Sequence, residues 1–141
     1  EFRETVGIDP DDVRLEPGDP SIEVRFDASH LHQILWNLCE IALKYGCPEG
    51  SDDPIEVRTG RIAGTGRPYV EIADRGPGID ATQRERIFEP FFTSGQGSTG
   101  LGLFISRELA QCNRALLVYE PRSGGGSTFR VIFADPQRWE L

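Results

Sequence analysis

Apolar residues recur at helical spacing in two stretches of the chain. In residues 27–46, DASHLHQILWNLCEIALKYG, they are spaced three or four apart, at Leu31, Leu35, Leu38 and Ala42. This period predicts an amphipathic helix with one face on a core. Asp27 stands where an N-cap residue is expected, and Gly46 follows the last periodic position. A second helix is predicted over residues 101–111.

Short segments in which apolar and polar residues alternate predict strands. They are residues 13–16, 21–26, 55–62, 68–74, 115–120 and 127–134. A short helix capped by Asp80 is predicted over residues 80–87, and a glycine-rich loop is predicted over residues 88–99. Because the strands come in runs and do not alternate regularly with helices, the order predicts an α+β two-layer sandwich. In this fold one mixed sheet carries the helices on one face.

The composition is that of a globular protein and limits its partners. Charged residues make up 27% and hydrophobic residues 38% of the 141 residues, enough for one domain with a real core. We expect a lead-in over residues 1–10 and a single domain over residues 11–141. The net charge of −8 and the scattered distribution of the 15 Lys and Arg residues argue against nucleic acid as a partner.

The sequence also favours an intracellular setting. It contains no run of eighteen apolar residues and no export leader, so we expect neither a membrane span nor secretion. Its three cysteines, Cys39, Cys47 and Cys112, have no C-x-x-C spacing. They therefore imply neither a disulfide framework nor a zinc site, and they fit a reducing cytoplasm.

Asp74 follows a predicted strand and begins the sequence DRGPG, residues 74–78. Glycines in this segment let the backbone turn sharply and approach a flat ligand closely. A carboxylate at the edge of such a pocket accepts hydrogen bonds from an exocyclic amine, which favours adenine over guanine. The same residues also fit an ordinary glycine-containing turn, because D-x-G-x-G alone is a weak motif.

Glycines also surround Ser98 and Thr99, just before the second predicted helix. Backbone N–H groups at a helix start form an anion site when no side chains hinder them, and the helix dipole favours phosphate. The alternative is a flexible linker in which Ser98 or Thr99 caps the helix. No lysine follows the glycines in a G-K-[ST] arrangement, so this is not a P-loop.

Four segments occur in an order that resembles the ATP-binding catalytic domain of bacterial sensor histidine kinases, in the superfamily of gyrase, Hsp90, histidine kinases and MutL. The helix over 27–46 resembles that family's N box, DRGPGI (74–79) its G1 box, FEPFF (88–92) its F box and GSTGLGL (97–103) its G2 box. The resemblance covers nearly the whole chain. It implies the Bergerat-type ATP-binding fold, with ATP and Mg²⁺ as cofactors.

The resemblance also implies roles for individual residues. Those implied in nucleotide binding are Asn37, Lys44, Tyr45, Asp74, Gly76, Gly78, Ile79, Phe88, Gly97, Thr99, Gly100, Leu101, Gly102, Leu103 and Thr128. Asn37, Glu40 and Lys44 are implied in catalysis, and Asn37 and Glu40 in metal binding. Taken alone, Lys44 fits a complement to the helix dipole, Tyr45 a packing residue and Thr128 an ordinary strand residue.

The phenylalanines of FEPFF have two interpretations. Phe88, Phe91 and Phe92 either belong to the core, which is the default for aromatic residues, or anchor a mobile lid and offer a docking surface. The family resemblance favours the second interpretation for at least one of them.

Positions 37 and 41 separate the possible functions. The related ATPases carry at position 37 a glutamate that activates water, whereas Asn37 matches the histidine kinases, and an amide is no general base. At position 41 the family has an asparagine that holds Mg²⁺, but Ile41 offers no oxygen. The leading hypothesis is a histidine kinase whose activity Ile41 impairs. The alternatives are a pseudokinase module that binds nucleotide or a partner without turnover, and an ATPase, which Asn37 disfavours.

The resemblance implies partners beyond this chain. The family's acceptor histidine belongs to a separate dimerising helix hairpin, so we expect His30 and His32 to be surface residues and not phosphoacceptors. The last third of the chain resembles the branch that pairs with enhancer-binding response regulators and includes the sensor kinases controlling type IV pilus transcription. We expect the isolated domain to be monomeric and to be the cytoplasmic part of an inner-membrane sensor.

Overall fold

The structure, a computed structural model, describes residues 13–15, 24, 26–45, 55–76, 78–92, 101–122 and 125–134, with 13–15 and 43–45 described as backbone only. The elements in chain order are β1 (Val13–Leu15), α1 (Ala28–Tyr45), β2 (Ile55–Arg61), β3 (Pro68–Ala73), α2 (Gly102–Cys112), β4 (Leu116–Pro121) and β5 (Ser127–Ile132). Among the described residues, neither helix is long and apolar enough to cross a membrane.

The strands form one sheet in the order β1-β2-β3-β5-β4. β1 runs parallel to β2, and the other neighbouring pairs are antiparallel. Both helices lie on one face of the sheet and enclose the core with it. Deeply buried members of this core include Ile34, Leu38, Ala110, Ile72 and Phe129. The predicted α+β two-layer sandwich with a mixed sheet is confirmed.

Helix α1 begins where the sequence predicts because Asp27 caps it. Asp27 Oδ1 accepts a hydrogen bond from the N–H of His30 at 3.0 Å, and the Asp27 carbonyl accepts one from the N–H of Leu31 at 2.9 Å. The residues that α1 buries most deeply are Ile34, Leu38, Cys39 and Ala42. Leu31 and Leu35 of the predicted stripe are half-buried, so the buried stripe is rotated slightly from its predicted centre.

A buried asparagine, Asn113, joins the start of α1 to the end of α2. Its Oδ1 accepts the N–H of Asp27 at 2.8 Å, and its Nδ2 donates to the Leu109 carbonyl at 2.8 Å and lies 3.0 Å from His30 Nδ1. His30 is half-buried because it belongs to this junction, and His32 is half-buried as well. Both histidines are thus more enclosed than the expected surface positions.

Residues 80–92 form a series of turns, so the predicted helix over 80–87 is wrong. Their backbone hydrogen bonds join residues three apart in sequence, at 2.9 to 3.3 Å. Ile87 is the one buried residue in 80–87, so this segment has no apolar face to stabilise an α-helix. Asp80 still caps the first turn, because its Oδ1 accepts the N–H and the hydroxyl of Thr82, both at 2.9 Å.

The predicted strand over 21–26 is also wrong where the structure describes it. Val24 and Phe26 lie outside any strand, and the remainder of 21–26 lies outside the described residues. Both side chains pack against the core, and the Phe26 ring meets the Phe133 ring edge-on at a centroid distance of 5.4 Å. Packing on the core, without backbone pairing, explains why these apolar residues alternate with polar ones.

The face of the sheet opposite the helices carries paired charges. Glu71 on β3 is 6% exposed, and its carboxylate lies 3.5 Å from an Arg58 nitrogen and 3.0 Å from an Arg130 nitrogen. Arg130 also pairs with Glu120 at 3.1 Å, at the more exposed edge. This face is therefore polar, in contrast to the apolar face that receives the helices.

Candidate functional site

Asp74 follows directly after β3, the central strand of the sheet, and its side chain is 5% exposed. Its Oδ1 accepts hydrogen bonds from the N–H of Gly76 at 2.9 Å and the N–H of Ser127 at 3.2 Å. Burial raises the pKa of the Asp74 carboxyl above its ordinary value, while these two hydrogen bonds and the charge of Arg122 lower it. The carboxyl is therefore enclosed and fixed in orientation.

Backbone forms the wall next to Asp74. Gly126 has a φ of 111°, and a Cβ added there would lie 2.8 Å from the Cα of Arg75, so only glycine fits. Gly78 has a φ of 77°, and its Cβ position lies 3.4 Å from the Gly126 carbonyl oxygen. The loops after β3 and before β5 thus approach each other closely without side chains between them.

Tyr119 on β4 connects these two loops. Its hydroxyl accepts the N–H of Ile79 at 3.2 Å and lies 3.3 Å from the hydroxyl of Ser127. The Arg84 guanidinium lies 5.8 Å from the centre of its ring. Sequence reasoning missed Tyr119. The available signal was its position two residues after the buried Leu117, which places both side chains on the same face of β4.

The Thr128 side chain lies on the opposite face of the sheet from the Asp74 side chain. The register pairs Thr128 with Ala73. The backbone of the neighbouring Ser127 pairs with Asp74: its carbonyl accepts the N–H of Asp74 at 2.8 Å, and its N–H donates to the Asp74 carboxylate. Because side chains alternate along a strand, the hydroxyl on the Asp74 side belongs to Ser127. The structure therefore favours Ser127, and not the predicted Thr128, for a role next to a bound base.

Asn37 lies in the middle of α1 and faces the start of α2. Its Nδ2 donates to the hydroxyl of the buried Ser106 at 3.0 Å and to the carbonyl of Gly102 at 3.3 Å. Its Oδ1 accepts from Nε2 of the exposed Gln33 at 3.0 Å. The amide therefore holds the two helices together and directs its oxygen away from α2.

The residues predicted to bind a metal do not form a complete ligand set. Glu40 is exposed and accepts a hydrogen bond from Nε1 of Trp36 at 3.2 Å. Ile41 is half-buried and packs on the core, and its Cδ1 lies 3.9 Å from the Cβ position of Gly102. Mg²⁺ requires oxygen ligands, and Ile41 supplies none. The described residues also contain no group of three or more His, Cys, Asp or Glu that could hold a metal.

Helix α2 begins at Gly102, at the junction with α1. Leu101 is the N-cap residue and makes no side-chain capping bond, and the first turn contains no acidic residue. Leu103 packs against the core. Of the predicted phosphate-binding loop, Gly97, Thr99 and Gly100 lie outside the described residues, as do the side chains of Lys44 and Tyr45.

The three phenylalanines of the F-box segment lie in different environments. Phe88 is buried in the core, and the Arg107 guanidinium lies 5.3 Å from its ring centre. Phe92 is half-buried and packs against the core. Phe91 is 73% exposed and has a φ of 66°, a strained value for a bulky residue. The core interpretation therefore fits Phe88 and Phe92, and Phe91 alone presents a ring to solvent.

Several elements that carry predicted site residues meet in the core. Ile41 from α1, Ile79 from the loop after β3 and Leu103 from α2 pack against the same core cluster. Asp74 and Asn37 extend from elements that meet in that cluster. A mixed sheet with two helices on one face, a buried acid after the central strand and an amide on the first helix define an ATP-binding domain of the gyrase, Hsp90 and histidine kinase type.

Comparison with known proteins identifies the family. The chain belongs to the family described as "Histidine kinase-, DNA gyrase B-, and HSP90-like ATPase", which matches residues 26–137. It is an ATP-binding catalytic domain of the kind found in two-component sensor histidine kinases.

Individual relatives agree with this assignment. The sensor protein kinase PilS of Pseudomonas aeruginosa is 36% identical over 126 residues, which cover 89% of this chain and 24% of PilS. The solved catalytic domain of the histidine kinase ThkA has a TM-score of 0.74 at 26% identity, covering 96% of this chain and 84% of that domain. Full-length ShkA in complex with AMPPNP has a TM-score of 0.70 at 26% identity, covering 94% of this chain and 27% of ShkA. The chain thus spans about a quarter of PilS and of ShkA.

Proposed function

We propose that this chain binds ATP and transfers its γ-phosphate to a histidine on a separate dimerisation domain of a sensor histidine kinase. The observation that carries the proposal is the enclosed carboxylate of Asp74, fixed by hydrogen bonds from Gly76 and Ser127. An ionised carboxylate only accepts hydrogen bonds, so it matches the exocyclic amine of adenine. The complex of the similar protein ShkA with AMPPNP supports a nucleotide at this fold.

The phosphates lie at the start of α2 in this proposal. Within the described residues no side chain caps this helix at its N-cap residue, Leu101, and the first turn contains no acidic residue, so its N–H groups and dipole favour an anion. By resemblance, Lys44 with the glycine-rich segment 97–100 completes the phosphate site. Asn37 positions the reacting phosphate from the facing side of α1, and its amide does not activate water.

Ile41 impairs metal binding in this proposal. The predicted ligand oxygens that remain are those of Asn37 and Glu40, and both already accept hydrogen bonds from neighbouring side chains. Losing one ligand oxygen costs about 1.5 to 3 kcal/mol, or roughly ten- to a hundredfold in affinity. Phosphoryl transfer depends on the metal to offset charge, so transfer is impaired more than adenine binding.

The acceptor histidine and the response regulator, which by resemblance is of the enhancer-binding type, are partners of the complete protein. By resemblance, the complete protein acts in type IV pilus regulation and carries this domain on the cytoplasmic side of an inner-membrane sensor, and the similarity to the sensor protein kinase PilS fits this role. A second candidate function is a pseudokinase module that holds nucleotide without turnover. The incomplete ligand set around Asn37, Glu40 and Ile41 favours it.

Calorimetric titration of the domain with ADP and ATP, with and without Mg²⁺, tests the proposal. We expect both nucleotides to bind with a weak dependence on Mg²⁺. Ile41→Asn should raise the Mg²⁺-dependent part of the ATP affinity about ten- to a hundredfold. In a longer protein that carries the acceptor helices, it should also raise autophosphorylation.

Ile41→Val is the matched control, because it keeps an alkyl side chain at the same half-buried position and should leave the Mg²⁺ dependence unchanged. If Ile41→Asn and the present chain show the same Mg²⁺ dependence, the metal part of the proposal is wrong. Strong Mg²⁺-independent binding without any transfer in the Ile41→Asn protein favours the pseudokinase function. Absence of nucleotide binding contradicts both functions.

A further inference from the structure

Two side chains hold the backbone of Ile79, in the loop after β3. The hydroxyl of Tyr119 on β4 accepts the N–H of Ile79 at 3.2 Å, and Nε of Arg84 donates to the Ile79 carbonyl at 3.1 Å. The Arg84 guanidinium lies in turn 5.8 Å from the centre of the Tyr119 ring. Tyr119 and Arg84, here called the Ile79 clamp, thus bind both polar groups of one peptide backbone and contact each other.

The Tyr119 hydroxyl also reaches the start of β5. It lies 3.3 Å from the hydroxyl of the buried Ser127 and 3.8 Å from the position that a Cβ on Gly78 would take. The register pairs Tyr119 with Phe129, which places its side chain on the sheet face that receives the helices. The Asp74 side chain lies on this same face. One phenol oxygen therefore joins the loop after β3 to the start of β5.

These two segments also hold the Asp74 carboxylate. Its Oδ1 accepts from the N–H of Gly76 in the loop after β3 and from the N–H of Ser127 at the start of β5. The orientation of the carboxylate thus depends on how the two segments lie relative to each other, and Tyr119 bonds to both. A ligand binds more tightly to a loop that is already ordered, because binding then loses less conformational entropy.

We propose that Tyr119, supported by Arg84, is a positioning residue for nucleotide binding, which holds the loop after β3 against the start of β5 and thereby preforms the wall next to Asp74. Tyr119 acts through the backbone of Ile79 and the side chain of Ser127, and its role requires no contact with the nucleotide. Loss of its hydroxyl therefore weakens nucleotide binding and leaves the transfer of phosphate from bound ATP almost unchanged. This inference rests on the proposed nucleotide site.

The test is the ADP affinity of Tyr119→Phe, measured by calorimetric titration. Phenylalanine keeps the ring that packs on Phe129, at a centroid distance of 5.3 Å, and removes the oxygen alone. We expect ADP affinity to fall about three- to tenfold. The factor should be the same with and without Mg²⁺, because the metal contacts the phosphates and not the base.

A kinetic measurement separates positioning from catalysis. In a longer protein that carries the acceptor helices and Ile41→Asn, Tyr119→Phe should raise the KM for ATP by about three- to tenfold and leave kcat almost unchanged. A fall in kcat at unchanged KM overturns the inference, because Tyr119 would then act on the transfer step.

Tyr69→Phe is the matched control. Tyr69 is likewise a half-buried tyrosine of a strand with an arginine over its ring, since the Arg130 guanidinium lies 5.0 Å from the ring centre. It lies two residues before Glu71, on the charged face of the sheet. Its substitution should leave ADP affinity unchanged. An equal loss in Tyr69→Phe overturns the inference, and so does an unchanged affinity in Tyr119→Phe.

A second variant tests whether the two clamp side chains act on the same loop. Arg84→Met keeps an unbranched side chain and removes the donor to the Ile79 carbonyl. We expect it to lower ADP affinity as well. Combined with Tyr119→Phe it should lose less than the product of the two single losses, because each substitution already frees the Ile79 backbone. Losses that multiply in full overturn the joint action of the two side chains.

Amide hydrogen exchange of the nucleotide-free domain separates this inference from the proposed function. In Tyr119→Phe the Ile79 amide should exchange about tenfold faster, whereas the amide of Val131 in the buried strand β5, which reports on global unfolding, should change less. If ADP does not bind the present chain, the proposed function fails, and the inference about Tyr119 still stands if Ile79 alone exchanges faster. Equal acceleration of both amides, or unchanged exchange at Ile79, overturns the inference even if ADP binds normally.

Discussion

Ionisation of the Asp74 carboxyl should lower the stability of the fold and strengthen nucleotide binding over the same range of pH. Burial raises its pKa in the folded state, so the folded chain holds this proton to a higher pH than the unfolded chain does. As pH rises from the ordinary pKa toward the raised one, the folded state therefore loses stability. In the proposed adenine site the ionised carboxylate is the better acceptor for the adenine amine, so the affinity for ADP should rise across that same window.

Asp74→Asn should separate these two effects. The Asn oxygen still accepts the N–H groups of Gly76 and Ser127, and an amide avoids the burial of a charge, so the unfolding free energy at pH 7 should not fall. The amide nitrogen opposes the adenine amine, so ADP affinity should drop roughly ten- to a hundredfold. Urea unfolding and calorimetric titration measure the two quantities. A parallel loss of both would mean that Asp74 is a structural residue.

The amide of Asn37 contacts both helices, its nitrogen bonding to α2 and its oxygen to a residue of α1. Its Nδ2 is fixed on α2 by Ser106, whereas its Oδ1 accepts from the exposed Gln33, which therefore competes with any metal for that oxygen. Gln33→Ala should raise the Mg²⁺-dependent part of the ADP affinity roughly two- to tenfold and leave stability almost unchanged.

Ser106→Ala is the contrasting variant for this prediction. It removes a buried partner of Asn37 and should lower stability by about 1 kcal/mol and lower the Mg²⁺-dependent affinity, because the amide loses its fixed orientation. Titrations with and without Mg²⁺ measure both effects. An unchanged Mg²⁺ dependence in Gln33→Ala would exclude Asn37 Oδ1 as a ligand.

The two helices are joined at one end by Asn113. This residue is 8% exposed and makes contacts with Asp27, His30 and Leu109, so it connects the cap of α1 to the last turn of α2. Asn113→Ala should lower the unfolding free energy by about 2 to 3 kcal/mol, because the N–H of Asp27 loses its buried acceptor. Gln111→Ala, at an exposed position of the same helix, should change it by less than about 0.5 kcal/mol.

Urea unfolding measures both variants, and ADP titration of Asn113→Ala shows whether the junction also affects the site. Asn113 lies after the end of α2, whereas Asn37 contacts its start, so we expect ADP affinity to change little. A large loss of affinity at unchanged stability would show that the relative position of the helices, and not the local contacts of Asn37, controls the site.

Elements whose signals are local could be predicted from the sequence, and long-range contacts could not. The cap at Asp27 and the position of Asp74 after a strand depend on neighbouring residues and are found where expected. The choice between Ser127 and Thr128 depends on the register of β3 with β5, which the pattern of one strand does not determine. Tyr119 became visible as a site residue only through its contact with Ile79, 40 positions away in the chain.

At the scale of the whole molecule, the sheet separates an apolar interior from a layer of ion pairs. The helices bury apolar residues on one face, and Glu71 is enclosed between Arg58 and Arg130 on the other. Removing one partner of a buried pair leaves uncompensated charge, whereas an exposed pair contributes little. The central strand β3 contributes residues both to the apolar face and to the charged face of the sheet, and Asp74 follows its last residue.

Glu71→Ala should therefore lower the unfolding free energy by about 3 to 5 kcal/mol, since two arginines lose a buried partner. Glu120→Ala removes a carboxylate from the same cluster, but its side chain is 51% exposed, so the expected loss is below about 1 kcal/mol. Urea unfolding of both variants measures the difference. If the two variants lose equal unfolding free energy, the ion pairs of this face contribute no more than exposed surface pairs do. The position of Asp74 then depends on the packing of β3 against the helices alone, and substitutions in the core should affect ADP affinity more strongly than any on the charged face.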